Sequence, residues 1–284
     1  MKVIILAAGY GTRLQRDIEN DPKQQYKHLL GVPKPLVPVG GESVVSRWMR
    51  IILTDFGEGQ VENEINNINK VYVVTNHHYA EKFSAWANQW PGVVELLDDG
   101  TLTNETRMGA VADINLCLDK FQIDDDILVI GGDTLFYQDF NLKSFLKEFY
   151  AKNLNCLGGA LVTCYRCQDS DIKRSGILEL DNENKVIAFL EKPDPTTTSS
   201  RWACPCFYVL SRKSSQLIPE FLKEKTNAPL KEKDAPGHFI KYLQEKAQVY
   251  AVPLKSGRFD IGNLQSYIQC DQYFAQIPHN EFLK

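Results

Sequence analysis

The chain has 284 residues, 43% of them hydrophobic and 24% charged, with 32 Lys and Arg against 36 Asp and Glu, for a formal net charge of −4. That length and apolar content suit one large α/β domain, or a domain with a small annex, with enough core to stand alone. With mild acidity and no long basic run, charge balance points to neither a nucleic-acid groove nor a membrane-surface helix, so any phosphate site must be local.

An apolar run over residues 3–6 reads as the first strand and passes directly into Gly9-Tyr10-Gly11-Thr12-Arg13-Leu14. The run is too short to span a bilayer, and its glycine-rich continuation is unlike a signal-peptide cleavage region. A soluble, cytoplasmic protein with no membrane partner is expected. Gly9 and Gly11 let backbone N–H groups approach a ligand without a Cβ in the way, and successive N–H groups in such a turn make an anion-binding concavity. Arg13 adds a planar fork matched to phosphate oxygens. The P-loop pattern is absent and Leu14 stands where the third glycine of the dinucleotide loop belongs, which disfavours an ATPase or dehydrogenase reading. An ordinary strand-to-helix turn is the competing reading of the loop taken alone.

After a polar stretch over residues 17–28 comes Gly31-Val32-Pro33-Lys34-Pro35-Leu36-Val37-Pro38. Two prolines fix φ and bias their predecessors to extended geometry, so Lys34 is expected off any helix, held out from a stiff segment. Further strands are predicted at residues 71–75, 93–97, 127–130, 158–163, 176–180, 186–190, 206–210 and 249–253. Helices are predicted at 44–54, 80–88, 108–118, 142–151, 213–220, 239–245 and 264–276. Short continuous apolar runs separated by helical segments are the sequence form of a parallel sheet covered on both faces. Residues 174–189 differ, reading as two strands joined by a polar turn, hence an antiparallel hairpin. Residues 57–70 read as an exposed extension without assigned function, 195–200 as a surface loop, His77-His78 as loop residues, and Asp124-Asp125-Asp126 as a solvated turn. Seven cysteines without a secretory signal argue for reduced thiols; Cys164-x-x-Cys167 and Cys204-x-Cys206 read as small hydrophobes on strands before they read as a zinc site.

Asp133 follows the apolar run of residues 127–130 and therefore lies at the carboxyl end of a buried strand, where ligands bind in open α/β sheets. A turn aspartate capping Thr134-Leu135 is the plainer alternative, as an N-cap role is for Asp260.

The glycine loop with its arginine, the lysine between prolines, and then Gly131-Gly132-Asp133-Thr134-Leu135-Phe136, Phe189-Leu190-Glu191-Lys192-Pro193 and Phe259-Asp260-Ile261-Gly262 occur in an order that resembles the sugar-1-phosphate nucleotidyltransferase family, of glucose-1-phosphate thymidylyltransferase type. The resemblance runs over nearly the whole chain. It implies a nucleotide-diphospho-sugar transferase fold: α/β, with a Rossmann-like mixed central sheet in three α/β/α layers. Residues 1–284 would form a single nucleotidyltransferase domain, with a nucleotide-binding half over about 1–140 and a sugar-binding half over about 141–284, sharing one sheet. The implied partners are a nucleoside triphosphate and a sugar 1-phosphate, with no nucleic acid; association of identical chains is left open.

In such a reaction a phosphate oxygen attacks the α-phosphorus and pyrophosphate leaves, so the site needs fixed cations, a divalent ion and positioning rather than a protein nucleophile. The resemblance implies that Arg13 binds the leaving pyrophosphate and Lys34 the triphosphate, and that Asp133 and Asp260 hold Mg²⁺, which takes one or two carboxylates plus phosphate oxygens. Leu6, Ala7, Ala8, Gly9, Gly11 and Thr12 would line the nucleotide. Asn104 and Gly109, in the loop over residues 102–110, would meet the base. Lys192 would hold the sugar's phosphate, Glu191 its hydroxyls, and Ser175-Gly176 would form the small-residue turn against the sugar. One departure stands out: before the strand that follows the Glu191-Lys192-Pro193 loop, where the family usually carries a glycine, this chain has Cys204-Pro205-Cys206, so sugar choice is not carried over. A catalytically silent nucleotide-sugar sensor and a transferase acting on a non-sugar phosphate such as phosphocholine are the competing readings. No acyltransferase-like repeat follows the last helix, which implies a single function.

Overall fold

The computed structural model describes residues 1–56, 68, 70–138 and 140–277, so the expected extension over 57–70 lies, apart from residues 68 and 70, outside the described residues. The strands in chain order are β1 (Lys2–Ala7), β2 (Pro38–Val39), β3 (Glu42–Ser43), β4 (Val71–Thr75), β5 (Val94–Asp98), β6 (Ile127–Gly131), β7 (Thr134–Phe136), β8 (Ala160–Arg166), β9 (Gly176–Leu180), β10 (Val186–Glu191), β11 (Trp202–Cys204), β12 (Phe207–Leu210), β13 (Val249–Leu254) and β14 (Arg258–Asp260). They belong to two compact units built from interleaved segments. The first takes Met1–Ile4, Met108–Gly131 and Tyr137–Gly257; the second takes Ile5–Arg107, Gly132–Phe136 and the chain from Arg258 onward.

In the first unit the strands run in the order β10, β9, β11, β8, β12, β6, with β13 added on β8. The pair β13/β8 is parallel and the others are antiparallel. Residues of β6 and β12 are buried throughout, as continuous apolar strands covered on both faces must be. The cover is amphipathic helix. In Leu142–Ala151 the buried residues Leu142, Phe145, Leu146 and Phe149 fall at helical spacing, and the Asn141 side chain caps the first turn by accepting the Ser144 N–H at 2.8 Å. The predicted hairpin is present as β9/β10, its turn closed by the Asp181 carboxylate accepting the Glu183 and Lys185 N–H groups.

In the second unit β4 is fully buried and pairs in parallel with β5, β2 pairs with β3, and β7 pairs antiparallel with β14. Helix Val44–Phe56 supplies Trp48, Met49 and Ile52 to its core. Parallel and antiparallel pairing under helical cover is the mixed α/β arrangement expected from the sequence. No helix among the described residues is long and apolar enough to cross a membrane.

Several local expectations are corrected. Lys34 does ride on a helix, though a short one: Lys34–Leu36 forms a single 3-10 turn. Pro33 precedes it and Pro35 sits where a first-turn N–H has no intrahelical partner anyway, so the prolines permit the turn. The predicted helix over 213–220 is divided into Arg212–Ser215 and Ile218–Glu224; Pro219 lacks the N–H that would continue the first helix, and its ring would clash with a carbonyl there. Residues assigned to a loop and polar stretch form helix Thr12–Glu19. The aspartates of 124–126 are tethered, with Asp124 paired to Arg212 and Asp126 accepting the Arg212 N–H at 2.8 Å.

Candidate active site

The turn after β1 is held from several sides in the second unit. Gly11 has φ of 62° and starts helix Thr12–Glu19 without a side-chain cap, the kind of helix start whose first N–H groups suit an anion. A Cβ at Gly11 would stand 3.4 Å from Lys34 Cγ, so the turn lies against the lysine's stem. Upstream, the Leu6 carbonyl accepts the Gly132 N–H at 2.9 Å and the Ala8 carbonyl accepts the side-chain amide of fully buried Asn76 at 2.8 Å. The Tyr10 hydroxyl meets Thr101 Oγ1 at 2.8 Å, and Thr101 Oγ1 donates to Asp99 Oδ1 at 2.7 Å. Desolvation raises the Asp99 carboxyl above its ordinary value despite those donors.

Beside this turn the register of β7 and β14 brings the backbones of Asp133 and Asp260 together. Asp260 pairs with Thr134, and the Ile261 N–H donates to the Asp133 carbonyl at 3.1 Å. Lys34 Nζ lies 3.1 Å from Asp133 Oδ2, with only 14% of the lysine side chain exposed. Arg258 donates to Asp260 Oδ2 and to Thr134 Oγ1, each at 3.3 Å. Desolvation pushes the Asp133 carboxyl upward, but the Lys34 ammonium and the Arg258 guanidinium outweigh it and hold the group below the usual carboxylate range. Where a Gly262 Cβ would stand, Asp260 Oδ1 is 3.8 Å away and Arg13 Nη2 3.9 Å. Arg13, Lys34, Asp133 and Asp260 are thus gathered in one unit around the Gly9–Thr12 turn.

The donor set fits a magnesium ion. Two carboxylates alone make a half-site of hard oxygen donors, and Mg²⁺ completes its shell with phosphate oxygens and water. Among the described residues no group of three or more His, Cys, Asp and Glu is arranged to hold a metal ion by itself.

The first unit carries the residues expected to meet the sugar. The hairpin register sets Glu191 opposite Gly176, and the Lys192 N–H donates to the Ser175 carbonyl at 3.1 Å. Lys192 Nζ is 3.5 Å from Glu191 Oε1. Glu191 Oε2 lies so close to helix Pro236–Lys246 that a Cβ at Gly237 would fall 2.5 Å from it. Pro205 makes a tight turn between β11 and β12, with the Phe207 N–H donating to its carbonyl at 2.8 Å while the Cys206 carbonyl receives the Gly131 N–H at 2.7 Å. Cys164 and Cys204 are buried on their strands, and burial pushes the Cys164 thiol up to about 12.

The two residues expected at the base are placed differently from each other. Asn104 sits in a turn of the second unit, where its backbone carbonyl accepts from Arg107 Nη1 at 2.7 Å. Gly109 belongs to the first unit and starts helix Ala110–Lys120; its φ is 97°, and a Cβ there would stand 3.0 Å from Asp234 Cα, so protein packing alone demands glycine. His77, read as a plain loop residue, has its Nδ1 2.6 Å from Asp98 Oδ2.

Sequence reasoning passed over Asn76, Thr101, Arg258 and Gly237. Asn76 had a usable signal, a polar residue at the carboxyl end of a buried parallel strand; the others are recruited by tertiary contacts that no local pattern carries.

Known proteins share this architecture. A solved Bacillus anthracis structure, provisionally assigned as a glucose-1-phosphate thymidylyltransferase in complex with sucrose, superposes with a TM-score of 0.71 at 21% identity, covering 100% of this chain and 98% of that one. The bifunctional protein GlmU of Methanocaldococcus jannaschii is 25% identical over 96% of this chain and 54% of its own length. The glucose-1-phosphate adenylyltransferase of Fervidobacterium nodosum is 28% identical over 93% of this chain and 59% of its own. The chain therefore spans little more than half the length of these curated relatives. The nucleotidyl transferase family model matches residues 2–276, from the first strand to the last helix, and the chain belongs to that family.

Proposed function

We propose that the chain transfers a nucleotidyl group from a nucleoside triphosphate to a sugar 1-phosphate, releasing pyrophosphate and a nucleotide-sugar. The observation that carries this reading is the convergence of Arg13 and Lys34 on the carboxylate pair Asp133 and Asp260 beside an uncapped helix start. The adenylyltransferase relative, named for glucose 1-phosphate, supports the substrate class.

The chemistry asks for two polyanions to be held in line while negative charge moves to the leaving group. In this reading the N–H groups after Gly11 and the Arg13 guanidinium grip the departing pyrophosphate. Lys34, held by Asp133 until then, turns its ammonium to the triphosphate. Glu191 orients sugar hydroxyls and Lys192 the sugar's phosphate, while Asn104 and the Gly109 backbone face the base. Mg²⁺, when bound by Asp133 and Asp260, neutralises phosphate charge and fixes the geometry of the triphosphate. Positioning of this kind can supply about 7 to 11 kcal/mol of the barrier. Reduced cysteines fit a reducing cytoplasmic setting.

A thermal-shift screen of nucleoside triphosphates and sugar 1-phosphates with Mg²⁺ tests the reading. A cognate triphosphate at a hundred times its dissociation constant should add about 2.7 kcal/mol of stability. Stabilisation by phosphocholine but by no sugar 1-phosphate would move the acceptor assignment, and stabilisation by nucleotide-sugars alone, without turnover, would favour a sensor.

A further inference from the structure

Arg258 lies two residues before Asp260 on β14, on the same face of the strand. Its fork spans both strands of the β7/β14 pair, at Asp260 Oδ2 and Thr134 Oγ1, and its charge reaches Asp133 strongly enough to help depress that carboxyl. The side chain is only 15% exposed. With Lys34 on Asp133 at 3.1 Å, each carboxylate of the pair has a protein cation beside it, and with Arg13 close to Asp260 the pair's negative charge is fully offset.

A neutralised pair is a poor magnet. Divalent ions are drawn to hard-oxygen sites by uncompensated negative charge, and in a partly buried setting like charges a few ångströms apart repel far more than in water. We propose, on the reading of Asp133 and Asp260 as metal ligands, that Arg258 is the built-in counter-ion of this pair and keeps divalent ions from binding until a triphosphate arrives. The triphosphate's charges engage Arg13 and Lys34 and reverse the local balance, so ion and nucleotide enter together. An arginine suits the task because it stays charged at any working pH. Arg258 is a positioning residue here, acting through Asp260 and Asp133.

Binding of Mn²⁺ to the full chain, followed by water-proton relaxation enhancement, reads this directly and does not depend on turnover. Without nucleotide, the wild-type protein should bind Mn²⁺ weakly, Arg258→Gln at least tenfold more tightly, and Arg258→Lys within about threefold of wild type, since charge sets the effect. Thr134→Val, which loosens one arm of Arg258 but keeps its charge, should also stay near wild type and serves if Arg258→Gln fails to fold. Unchanged or weaker Mn²⁺ binding by Arg258→Gln would overturn the counter-ion role, as would a large change in Thr134→Val. Failure of the underlying metal reading looks different: wild-type protein would then give no enhancement from Mn²⁺ even with a nucleoside triphosphate present, and the counter-ion role would fall with it.

Discussion

Lys192 adopts a left-handed backbone conformation, φ 48°, although a proline follows it. Such a conformation costs about 1 to 2 kcal/mol for a residue with a side chain, and the N–H bond to the Ser175 carbonyl helps to hold it. Strain kept at a lysine, where glycine would relieve it, is understandable if the ammonium is needed. Lys192→Gly should therefore melt at or above the wild-type temperature while its KM for the sugar 1-phosphate rises; a stable variant with unchanged KM would remove Lys192 from the sugar site. Arg13→Ala should lower kcat by roughly 100-fold, the scale of losing one charge-stabilising donor, and equally with every sugar accepted, which a comparison of two acceptors checks. Asp133 carries a pH signature. Its folded pKa is depressed, so its stabilising contribution is complete above the unfolded value near 4 and is lost as pH falls through the lowered folded value. Urea midpoints followed downward from about pH 5 should show a shallower acid decline in Asp133→Asn than in wild type. Arg13, Lys34 and Asp133 were legible because each rides in a contiguous string of glycines, prolines or apolar residues. Arg258 and Gly237 were not, since their contacts with Asp260 and Glu191 exist only once strand and helix have packed.

At the scale of elements, helix Leu264–Ala275 ties together the segments that carry charge in the second unit. A capping box at Asn263 and Ser266 fixes its start just after Asp260, the Leu264 N–H reaches Asp17 on the Arg13 helix at 3.4 Å, and Tyr267 and Asp271 hold the segment following Lys34 through the Pro38 carbonyl at 3.0 Å and the Gly40 N–H at 2.8 Å. Buried Arg47 donates to the Val39 carbonyl at 2.9 Å and stacks 4.7 Å from the Phe274 ring centroid. Gly40 is where this packing is tightest: its φ is 56°, and a Cβ would fall 2.5 Å from the Phe274 carbonyl carbon. Gly40→Ala should lose about 3 kcal/mol or more, and Tyr267→Phe about 1 kcal/mol, both read from denaturant midpoints. The fully buried runs β4, β6 and β12 were plain in the sequence because two covered faces leave no polar alternation. Strands β7, β11 and β14, three residues each, are too short to show any period. Helix Thr12–Glu19 was hidden by a glycine start that offers no side-chain cap.

Across the whole molecule, a net charge of −4 coexists with a local meeting of Arg13, Lys34 and Arg258 beside one turn. The cation and carboxylate cluster belongs to the second unit and the Glu191-Lys192 pair to the first. The most direct measurement is pyrophosphate release from a panel of nucleoside triphosphates and sugar 1-phosphates with Mg²⁺, run on wild type and Asp133→Asn. Release that requires both substrates and Mg²⁺, and that is lost in a folded Asp133→Asn protein, is the predicted result. Release that persists in Asp133→Asn, or none from wild type across the full panel, would contradict the account.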